Sequence, residues 1–595
     1  MKAKTGIPFG VCVLPAPVRN AGRVAQYADY IEEILQHAGV CYDRIDPEDL
    51  PVRLPTLRLL LTVGEATLAE EQRQSLAQWV AEGGAWLSLA GLCGLEATLG
   101  VVPEKPAYVG FGAGLCSLGE GYLQPIGFHP VLDSLPAPLH FFGGIAVTTD
   151  TATTIAVGFD SHQRTTSRAV LTENRSGEGC AMLLAIDLTG TIVRIQQGGA
   201  VTRDGVSAPD GTAPVTDGVL KSDDGAVLDW IFDRQEVPGI AGFRAFLRPI
   251  ADAWRDLLMR ALLYLAQRQQ LALPVLWFYP RDLPAVVHLS HDTDGNAVPE
   301  GTRLLEVLKE IDARSTWCVI PPGYPPEMIE AIRNAGHELA MHYDAMSDGL
   351  TWSREQFTRQ FHALQTLFRG QRPLSNKNHY LRWEGDTELF TWCEEHGIQL
   401  DQTKGASKTG EAGFNFGTCH PFFPVAPDGT IHDVLELCTP TQDLEVFAPT
   451  ALLEPLLQAV LRHYGVMHLL FHPAHIFKPG VAEAMRLAAE RARHHGLEFW
   501  TAERLNAWER ARRACAWTGC DSALTLTLHP SVSLCDATIL MLSVSPLTAM
   551  VNGEEAPVRT LERWGFPFQA VTVDLQGGSA CTLRFLEATR KEKIS

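Results

Sequence analysis

The feature that most constrains the fold is a regular alternation of strand-like and helix-like segments between residues 281 and 512 of this 595-residue chain. Short apolar runs alternate with stretches of helical periodicity. The strand-like runs are 285–289, 315–320, 338–342, 377–381, 398–400, 434–438, 466–471 and 497–500. Seven or eight strand–helix units in roughly 230 residues are the size of a small (β/α) barrel. The sequence therefore predicts an α/β chain with a barrel at residues 281–512.

The regions on either side of the barrel have different patterns. Residues 1–270 open with strand, helix, strand, helix, strand, which predicts a second α/β domain. Within it, residues 196–240 are rich in Gly and Asp and predict a long loop or lid. Residues 520–590 contain only strand-like runs, which predict a small C-terminal β-sandwich.

Composition excludes several classes of function. The net charge of −20 disfavours binding to nucleic acid or to an anionic membrane. No apolar run reaches the ~20 residues of a membrane span, so no membrane insertion is expected.

Pro8 interrupts the apolar N-terminal stretch, which favours a first strand over a secretion signal. Many of the 13 cysteines lie in apolar segments, as buried free thiols do in a reducing compartment. A cytoplasmic location is expected, and a homo-oligomer is compatible with the sequence.

Two carboxylates follow the first barrel strand. Asp292 and Asp294 lie at i and i+2, so on a strand both would project to the same side. The carboxyl ends of barrel strands form the active-site face. Adjacent carboxylates repel unless a cation or a proton lies between them. The pattern favours one metal-binding carboxylate and one base. The alternative is a helix N-cap followed by a turn.

Three histidines follow other strand-like runs. His342, His379 and His472 are each expected at the carboxyl end of a strand, on the same face as Asp294. Carboxylate and imidazole groups are ligands that zinc accepts, and three such ligands leave an open position for catalysis. We expect Asp294, His342 and His379 to bind Zn²⁺ or another divalent metal. His472, or His475 near it, could then protonate a leaving group.

These motifs resemble those of the polysaccharide deacetylase family, carbohydrate-esterase family four. The resemblance covers about residues 283–510 and implies a distorted (β/α)7 barrel that uses a divalent metal, usually zinc, to remove N- or O-acetyl groups from sugars. In the family's first motif the catalytic base precedes a metal-binding Asp, which matches Asp292 and Asp294. Residues 336–342, Gly-His-Glu-Leu-Ala-Met-His, match the first half of the second motif. Residues 470–472 match the leucine-x-histidine motif.

The chain departs from the family pattern in the second motif. The family's second metal-binding His stands four residues after the first, where this chain has Met346. A thioether is a poor ligand for a hard metal. His379 is the expected replacement, with Asp344 and Asp348 as rivals.

Two further roles follow from the resemblance. Arg382 is the nearest candidate for the Arg that orients the catalytic base, although the Pro and Gly that usually follow it are absent. Asp401 is a candidate for the carboxylate that orients His472.

Tyr343 and Trp383, together with His475, are the expected substrate-binding residues. Phe422 and Phe423 could join this surface. For all four aromatic residues the alternative is ordinary core packing.

The first α/β domain resembles the class I glutamine-amidotransferase-like fold, a flavodoxin-like arrangement that also occurs without catalytic function in sugar-processing enzymes. The resemblance rests on residues 74–89. Cys93 suggests a glutaminase nucleophile, but Leu95 occupies the place of the last glycine in the G-x-C-x-G elbow. A non-catalytic domain is therefore expected.

Together these features predict a metal-dependent hydrolase of carbon–nitrogen bonds other than peptide bonds. It would act as an N- or O-deacetylase on an amino sugar, a polysaccharide or a small acetylated substrate. Two alternatives remain. The same barrel could hydrolyse a non-sugar amide, or it could be an inactive carbohydrate-binding or scaffold protein. The missing second-motif histidine favours inactivity, whereas the retained Asp292, Asp294, His342 and His472 favour catalysis.

Overall fold

The computed structural model describes residues 6–14, 27–105, 116–160, 162, 164–214, 218–519 and 524–587. The chain divides into two compact units. Unit 1 comprises Met1–Ile192, Ala253–Asp282 and Arg510–Ser595, and unit 2 comprises Val193–Asp252 and Leu283–Glu509. The predicted three-domain boundaries stay a prediction.

Unit 1 begins with an α/β segment. Its strands are β1 (Phe9–Val13), β2 (Asp43–Arg44), β3 (Leu59–Val63), β4 (Ala85–Leu89), β5 (Val101–Pro103), β6 (Glu120–Pro125), β7 (Leu139–Phe142), β8 (Val147–Thr149), β9 (Thr153–Asp160), β10 (Thr165–Ser176) and β11 (Gly179–Leu184). The helices are α1 (Ile31–Ala38), α2 (Leu50–Arg53), α3 (Glu70–Ala81), α4 (Glu96–Leu99) and α5 (Leu188–Gln197).

These eleven strands form one sheet in the order β2-β1-β3-β4-β11-β10-β9-β6-β7, and β8 pairs with β10 and β5. The first five strands in this order are parallel, and β10 pairs antiparallel with β11. β1, β3 and β4 are buried along their whole length, because they carry continuous apolar residues rather than an alternating pattern. The α/β character of this region is as predicted, while its flavodoxin-like class stays a prediction.

The described residues between 198 and 249 contain little regular structure, apart from a 3₁₀ turn (Ser222–Gly225) and the paired strands β12 (Gln235–Glu236) and β13 (Arg244–Ala245). The long loop or lid predicted at residues 196–240 stays a prediction. The segment is not fully solvated, however, because Asp223 is buried. Its carboxylate accepts a hydrogen bond from Ser407 Oγ at 2.6 Å and lies 3.1 Å from Lys408 Nζ. The Asp223–Lys408 ion pair therefore links this segment to the chain around residues 407–408.

Two elements separate this segment from the barrel strands. They are α6 (Ile250–Arg268) and β14 (Pro274–Leu276).

The remaining strands of unit 2 are β15 (Val286–Asp292), β16 (Thr316–Val319), β17 (Glu338–Tyr343), β18 (Ser375–Asn378), β19 (Leu400–Asp401), β20 (Leu435–Glu436), β21 (Val466–Leu470) and β22 (Glu498–Phe499). The helices are α7 (Val298–Glu310), α8 (Pro326–Asn334), α9 (Ser347–Leu350), α10 (Arg354–Leu367), α11 (Glu388–His396), α12 (Leu453–His463), α13 (Val481–His494) and α14 (Ala502–Arg513).

The eight strands β15–β22 form one parallel sheet in the order β20-β19-β18-β17-β16-β15-β21, with β22 also on β15. Among the described residues no pairing joins β20 to β21 or β22, so the sheet is a half-barrel rather than a closed ring. The predicted (β/α) architecture is confirmed at this level, with eight strands in place of seven. Because the strands are parallel, their carboxyl ends share one edge of the sheet.

A large apolar core supports this sheet. Trp317, Phe357 and Phe390 are among its fully buried members. The helices contribute one buried face each, as in α7, where Leu304, Val307 and Leu308 repeat at helical spacing. The core fixes where each strand ends and therefore where the side chains after it lie.

The C-terminal strands of unit 1 are β23 (Ala516–Thr518), β24 (Thr525–His529), β25 (Leu534–Leu542), β26 (Leu547–Val551), β27 (Glu554–Ala556), β28 (Arg559–Arg563), β29 (Phe566–Leu575) and β30 (Cys581–Glu587). They form two antiparallel sheets, β14-β25-β29-β28 and β23-β24-β30-β26-β27. The region is all-β as expected, and its sandwich class stays a prediction. No described helix combines the length and the apolar character that crossing a membrane requires.

Candidate active site

The carboxylates of Asp292 and Asp294 lie at the carboxyl end of β15. The strand ends at Asp292, so strand alternation does not place Asp294 as the spacing predicted. A turn does so instead, closed by a hydrogen bond from Asn296 N to Thr293 O at 2.8 Å. Asp294 has a φ of 34°, which is unusual for a residue other than glycine. This turn brings the Asp294 carboxylate to 3.3 Å from His342 Nε2.

His342, near the end of β17, is fully buried and held in one orientation. Its Nδ1 lies 2.8 Å from the carbonyl oxygen of Lys377. A carbonyl can only accept, so Nδ1 carries a proton and Nε2 is the ring nitrogen left to bind a metal. That Nε2 faces Asp294 Oδ1 and also lies 3.9 Å from Asp292 Oδ2. The hydrogen bond to the β18 backbone therefore orients the His342 ring so that Nε2 points toward the two carboxylates.

His379 completes the predicted group from the 3₁₀ turn that follows β18. Its Nε2 lies 3.8 Å from Asp294 Oδ1, and its Nδ1 lies 3.1 Å from Asp344 Oδ1. Asp344 was one rival for the third ligand position. In the structure it contacts the opposite nitrogen of His379, as carboxylates that orient metal-binding histidines do. The side chain of Asp348, the other rival, lies outside the described part of the chain.

The donor set of Asp294, His342 and His379 fits a divalent metal. One ligand atom from each lies within 4.8 Å of those from the other two. His342 Nε2 and Asp294 Oδ1 are buried and make no hydrogen bond among the described residues. Burying such atoms without a partner costs free energy, which a cation would offset. One carboxylate and two imidazoles suit zinc and leave a position open.

His472 approaches the same cluster from the turn after β21. Its Nε2 lies 3.9 Å from Asp294 Oδ2, and its Nδ1 lies 2.5 Å from Asp443 Oδ2. Burial lowers the pKa of His472, but the carboxylates of Asp443, Asp292 and Asp294 raise it to about 9 overall. The surroundings of His472 therefore favour its protonated form beside the candidate metal ligands.

Asp443, rather than the predicted Asp401, orients His472. Asp443 accepts hydrogen bonds from the backbone nitrogen of His472 at 2.8 Å and from its ring. Asp401 instead accepts from Asn376 and Thr403 within the barrel. Asp443 lies far from any recognised motif, in the irregular chain after β20. The one signal that could have identified it is an Asp shortly after a predicted strand.

Lys377 contacts the predicted base. It is fully buried in β18, and its Nζ donates to Ser290 Oγ at 2.6 Å and lies 3.6 Å from Asp292 Oδ1. Arg382, which the resemblance suggested for this position, donates to the carbonyl of Ala345 and pairs with Glu384. A lysine inside a predicted buried strand was the sequence signal for this contact.

We predict that the charges of Lys377 and Asp292 are coupled in stability. Removing one partner of a buried ion pair leaves an uncompensated charge and typically costs about 3–5 kcal/mol. Lys377→Met alone should therefore lower the thermal unfolding midpoint strongly. The double variant Lys377→Met/Asp292→Asn should recover part of the loss. Additive losses across the four proteins of this double-mutant cycle would contradict the pairing.

The predicted substrate-binding residues are distributed differently from expectation. Tyr343 and Trp383 are buried. The Tyr343 ring packs against Phe357, and Lys404 Nζ lies 4.0 Å from the centre of a Trp383 ring. Neither ring offers an open face to a ligand, because both serve the core of unit 2. His475 is partly exposed, and its Nδ1 lies 2.9 Å from Asp443 Oδ2.

Phe422 is also buried, so of these aromatic candidates only Phe423 is not fully inside. In contrast, Tyr380, which follows the ligand candidate His379, is 55% exposed. Its ring centre lies 4.6 Å from that of His379.

Cys93 of unit 1 does not have the environment of a nucleophile. It is buried, and burial raises the pKa of its thiol to about 12. Its Sγ contacts Thr62 Oγ1 at 3.8 Å. A reactive cysteine needs a lowered pKa and access to substrate. The non-catalytic interpretation of this residue fits that environment.

Comparison with known proteins finds partial likenesses. Neither a protein-family model nor a curated protein matches this sequence. Similar solved structures include a protein from Mycobacterium smegmatis described as a polysaccharide deacetylase, with 19% identity over 40% of this chain and 94% of that one, at a TM-score of 0.31. A family 4 carbohydrate esterase from Streptomyces lividans has 16% identity over 36% and 91%, at a TM-score of 0.24. A β-galactosidase from Bacillus circulans sp. alkalophilus has 13% identity over 32% and 30%, at a TM-score of 0.25. At TM-scores this low, the likenesses assign no function to the chain.

Proposed function

We propose that this protein is a metal-dependent hydrolase that removes an acetyl group from an amino sugar or a glycan. The observation that carries the proposal is the convergence of Asp294, His342 and His379, whose ligand atoms lie within 4.8 Å of one another. Asp292 and His472 each lie 3.9 Å from a member of this group. Few structural roles require two more titratable groups at that position.

The three ligands would hold Zn²⁺ or another divalent cation. When bound, such a cation supplies a Lewis acid that polarises the substrate carbonyl and acidifies water. Asp294 is suited to this role because His342, His472 and His379 outweigh its burial and lower its pKa to about 2. It therefore stays an anion at neutral pH. The two imidazoles complete a site with an open position.

Asp292 is the proposed general base. Its side chain is buried, and Oδ1 makes no hydrogen bond among the described residues. The other oxygen, Oδ2, lies 3.9 Å from His342 Nε2, on the side of the candidate metal ligands, and is the one proposed to accept a proton from the attacking water. Lys377 Nζ lies 3.6 Å from Oδ1, so the base has a buried cation beside it.

His472 is the proposed general acid. Asp443 holds Nδ1, which leaves Nε2 facing the metal ligands. A protonated imidazole there can donate to the departing nitrogen or oxygen as the carbon–heteroatom bond breaks. The base and the acid come from different strand ends, β15 and β21. They can therefore act on attacking water and leaving group separately.

The motifs favour an acetylated sugar as the substrate class. Asp292, Asp294, His342 and His472 match the motifs of the deacetylase family, whose members act on acetylated sugars. The same groups could act on a non-sugar acetamide. Measuring acetate release from acetylated sugars and from non-sugar acetamides separates these two options. The catalytic groups would be the same for both, and only the part of the substrate around the acetyl group differs.

The experiment is an acetate-release assay with purified full-length protein supplied with zinc. Substrates are N-acetylglucosamine oligomers, an O-acetylated sugar and a simple non-sugar acetamide. We expect acetate from at least one sugar substrate, loss of at least 100-fold in rate after chelation, and recovery when zinc is restored. Release only from the non-sugar amide would overturn the sugar assignment. No release from any substrate by metal-loaded protein would overturn the hydrolase.

A further inference from the structure

A second group of metal-ligating side chains adjoins the candidate active site. It consists of Asp443, His472 and His475, named here the Asp443 cluster. One ligand atom from each lies within 4.8 Å of those from the other two. Asp443 comes from the chain after β20, His472 precedes the 3₁₀ turn after β21, and His475 is the last residue of that turn. The hydrogen bond from His472 N to Asp443 Oδ1 holds these two segments together.

The geometry of the cluster is unusual at His475. Both Nδ1 atoms converge on one oxygen, Asp443 Oδ2, at 2.5 Å from His472 and 2.9 Å from His475. His472 makes a hydrogen bond there, but His475 Nδ1 is buried and makes none among the described residues. Two imidazole nitrogens and a carboxylate therefore already converge, and these are donor atoms that a metal could share.

We propose that the Asp443 cluster is a second, weaker zinc site whose occupation inhibits the hydrolase. The inhibitory part rests on the proposed function, whereas the binding site does not. Two imidazoles and one carboxylate are a donor set that zinc accepts. With Zn–N and Zn–O distances of about 2.0–2.2 Å, tetrahedral ligand atoms lie about 3.4 Å apart, so each histidine nitrogen must move away from Asp443 Oδ2 by roughly 0.5–0.9 Å. His475 is partly exposed and can move outward.

Binding at this site changes His472 in a defined way. Zinc forms a bond to Nδ1 and displaces the proton that His472 shares with Asp443, and that proton passes to solvent. His472 is then a neutral, zinc-bound imidazole that keeps its Nε2 proton but releases it far less readily than an imidazolium does, so it is a poor acid. Zinc must break the bond between His472 and Asp443 before it binds. The three ligands of the first site face no such competition, which is why the second site is the weaker one.

The binding test is calorimetric titration of the metal-free, full-length protein with zinc. We expect two sites in the wild type, with affinities at least 10-fold apart. His475→Ala and His475→Gln should each lose the weaker site and keep the tighter one. Asp294→Ala should show the opposite pattern. His494→Ala, which removes an exposed imidazole in α13, is the matched control and should keep both sites.

A single site in the wild type, or two sites in both folded His475 variants, would overturn the second site. Thermal unfolding of each variant establishes that it is folded, and the glutamine variant covers the case in which alanine disrupts the turn.

The inhibition test compares each protein with itself, at one equivalent of zinc and at saturation of the weaker site. The wild type should lose at least 10-fold in rate, and His475→Gln should lose little. Equal inhibition of both would overturn the inhibitory role. Two zinc sites without hydrolysis of any substrate would overturn the proposed function and the inhibition together, while supporting the second site.

Discussion

Asp292→Asn should lower kcat by about 10³-fold while leaving the metal in place. A general base contributes roughly 10²–10⁴-fold to rate. Asparagine has the shape of aspartate but cannot accept the proton of the attacking water. Asp292 is not one of the three converging ligands, and its Oδ2 is 3.9 Å from His342 Nε2. KM should change little, because the substitution removes an interaction that matters in the transition state.

The matched control for this variant is Asp312→Asn, which makes the same chemical change at an exposed position. It should keep full activity. Steady-state kinetics and metal content are measured on the same preparations. If Asp292→Asn loses its metal together with its activity, Asp292 is a ligand rather than the base. If it keeps activity within about 5-fold, the base lies elsewhere.

His472→Gln should have an effect that depends on the leaving group. An amine leaving group needs a proton as the bond breaks, whereas nitrophenolate does not. We expect a loss of about 10²–10³-fold on an N-acetyl sugar, and less than about 10-fold on 4-nitrophenyl acetate. The reason is structural: Asp443 is hydrogen-bonded to Nδ1, and Nε2 faces the candidate metal ligand Asp294.

Asp443→Asn provides the companion measurement. It keeps a hydrogen-bonding side chain at the Nδ1 position of His472 but removes the negative charge. The rate on the N-acetyl sugar should fall by about 10-fold or more, again with little change on the activated ester. Equal losses on both substrates in either variant would show that His472 is not the acid.

The sequence predicted the architecture of unit 2 because its signals are local. Each apolar run between residues 285 and 500 corresponds to a strand of the parallel sheet, with ends that differ by a few residues. The largest difference lies at β18. The run predicted at 377–381 is a strand only to Asn378, and a 3₁₀ turn follows. Tyr380 in that turn has a φ of 60°, which ends the extended backbone.

The sequence also brought Asp294, His342 and His379 together as a predicted group, since all three follow strands that end at one edge. Their role as metal ligands stays a prediction. What the sequence could not supply was the partner of each group. Lys377 reaches Asp292 across two strands, and Asp443 reaches His472 from 29 residues earlier in the chain. Such contacts depend on tertiary packing and leave no local periodicity.

The aromatic residues illustrate the same limit. Tyr343 and Trp383 stand beside site motifs in the sequence, but alternation along β17 and packing of the following chain turn them into the core. Tyr380, which is exposed, stands in the same motif as Trp383. The backbone turn after β18 leaves the Tyr380 side chain exposed and the Trp383 side chain buried, and the sequence pattern does not show that turn.

Metal content tests the central claim most directly. Wild-type protein and Asp294→Ala are loaded with zinc, passed over a desalting column to empty weak sites, and analysed by inductively coupled plasma mass spectrometry. The account predicts about one zinc per chain in the wild type and almost none in the folded variant. Wild-type protein that retains no metal after zinc is supplied, or an Asp294→Ala variant that retains as much as the wild type, would contradict it.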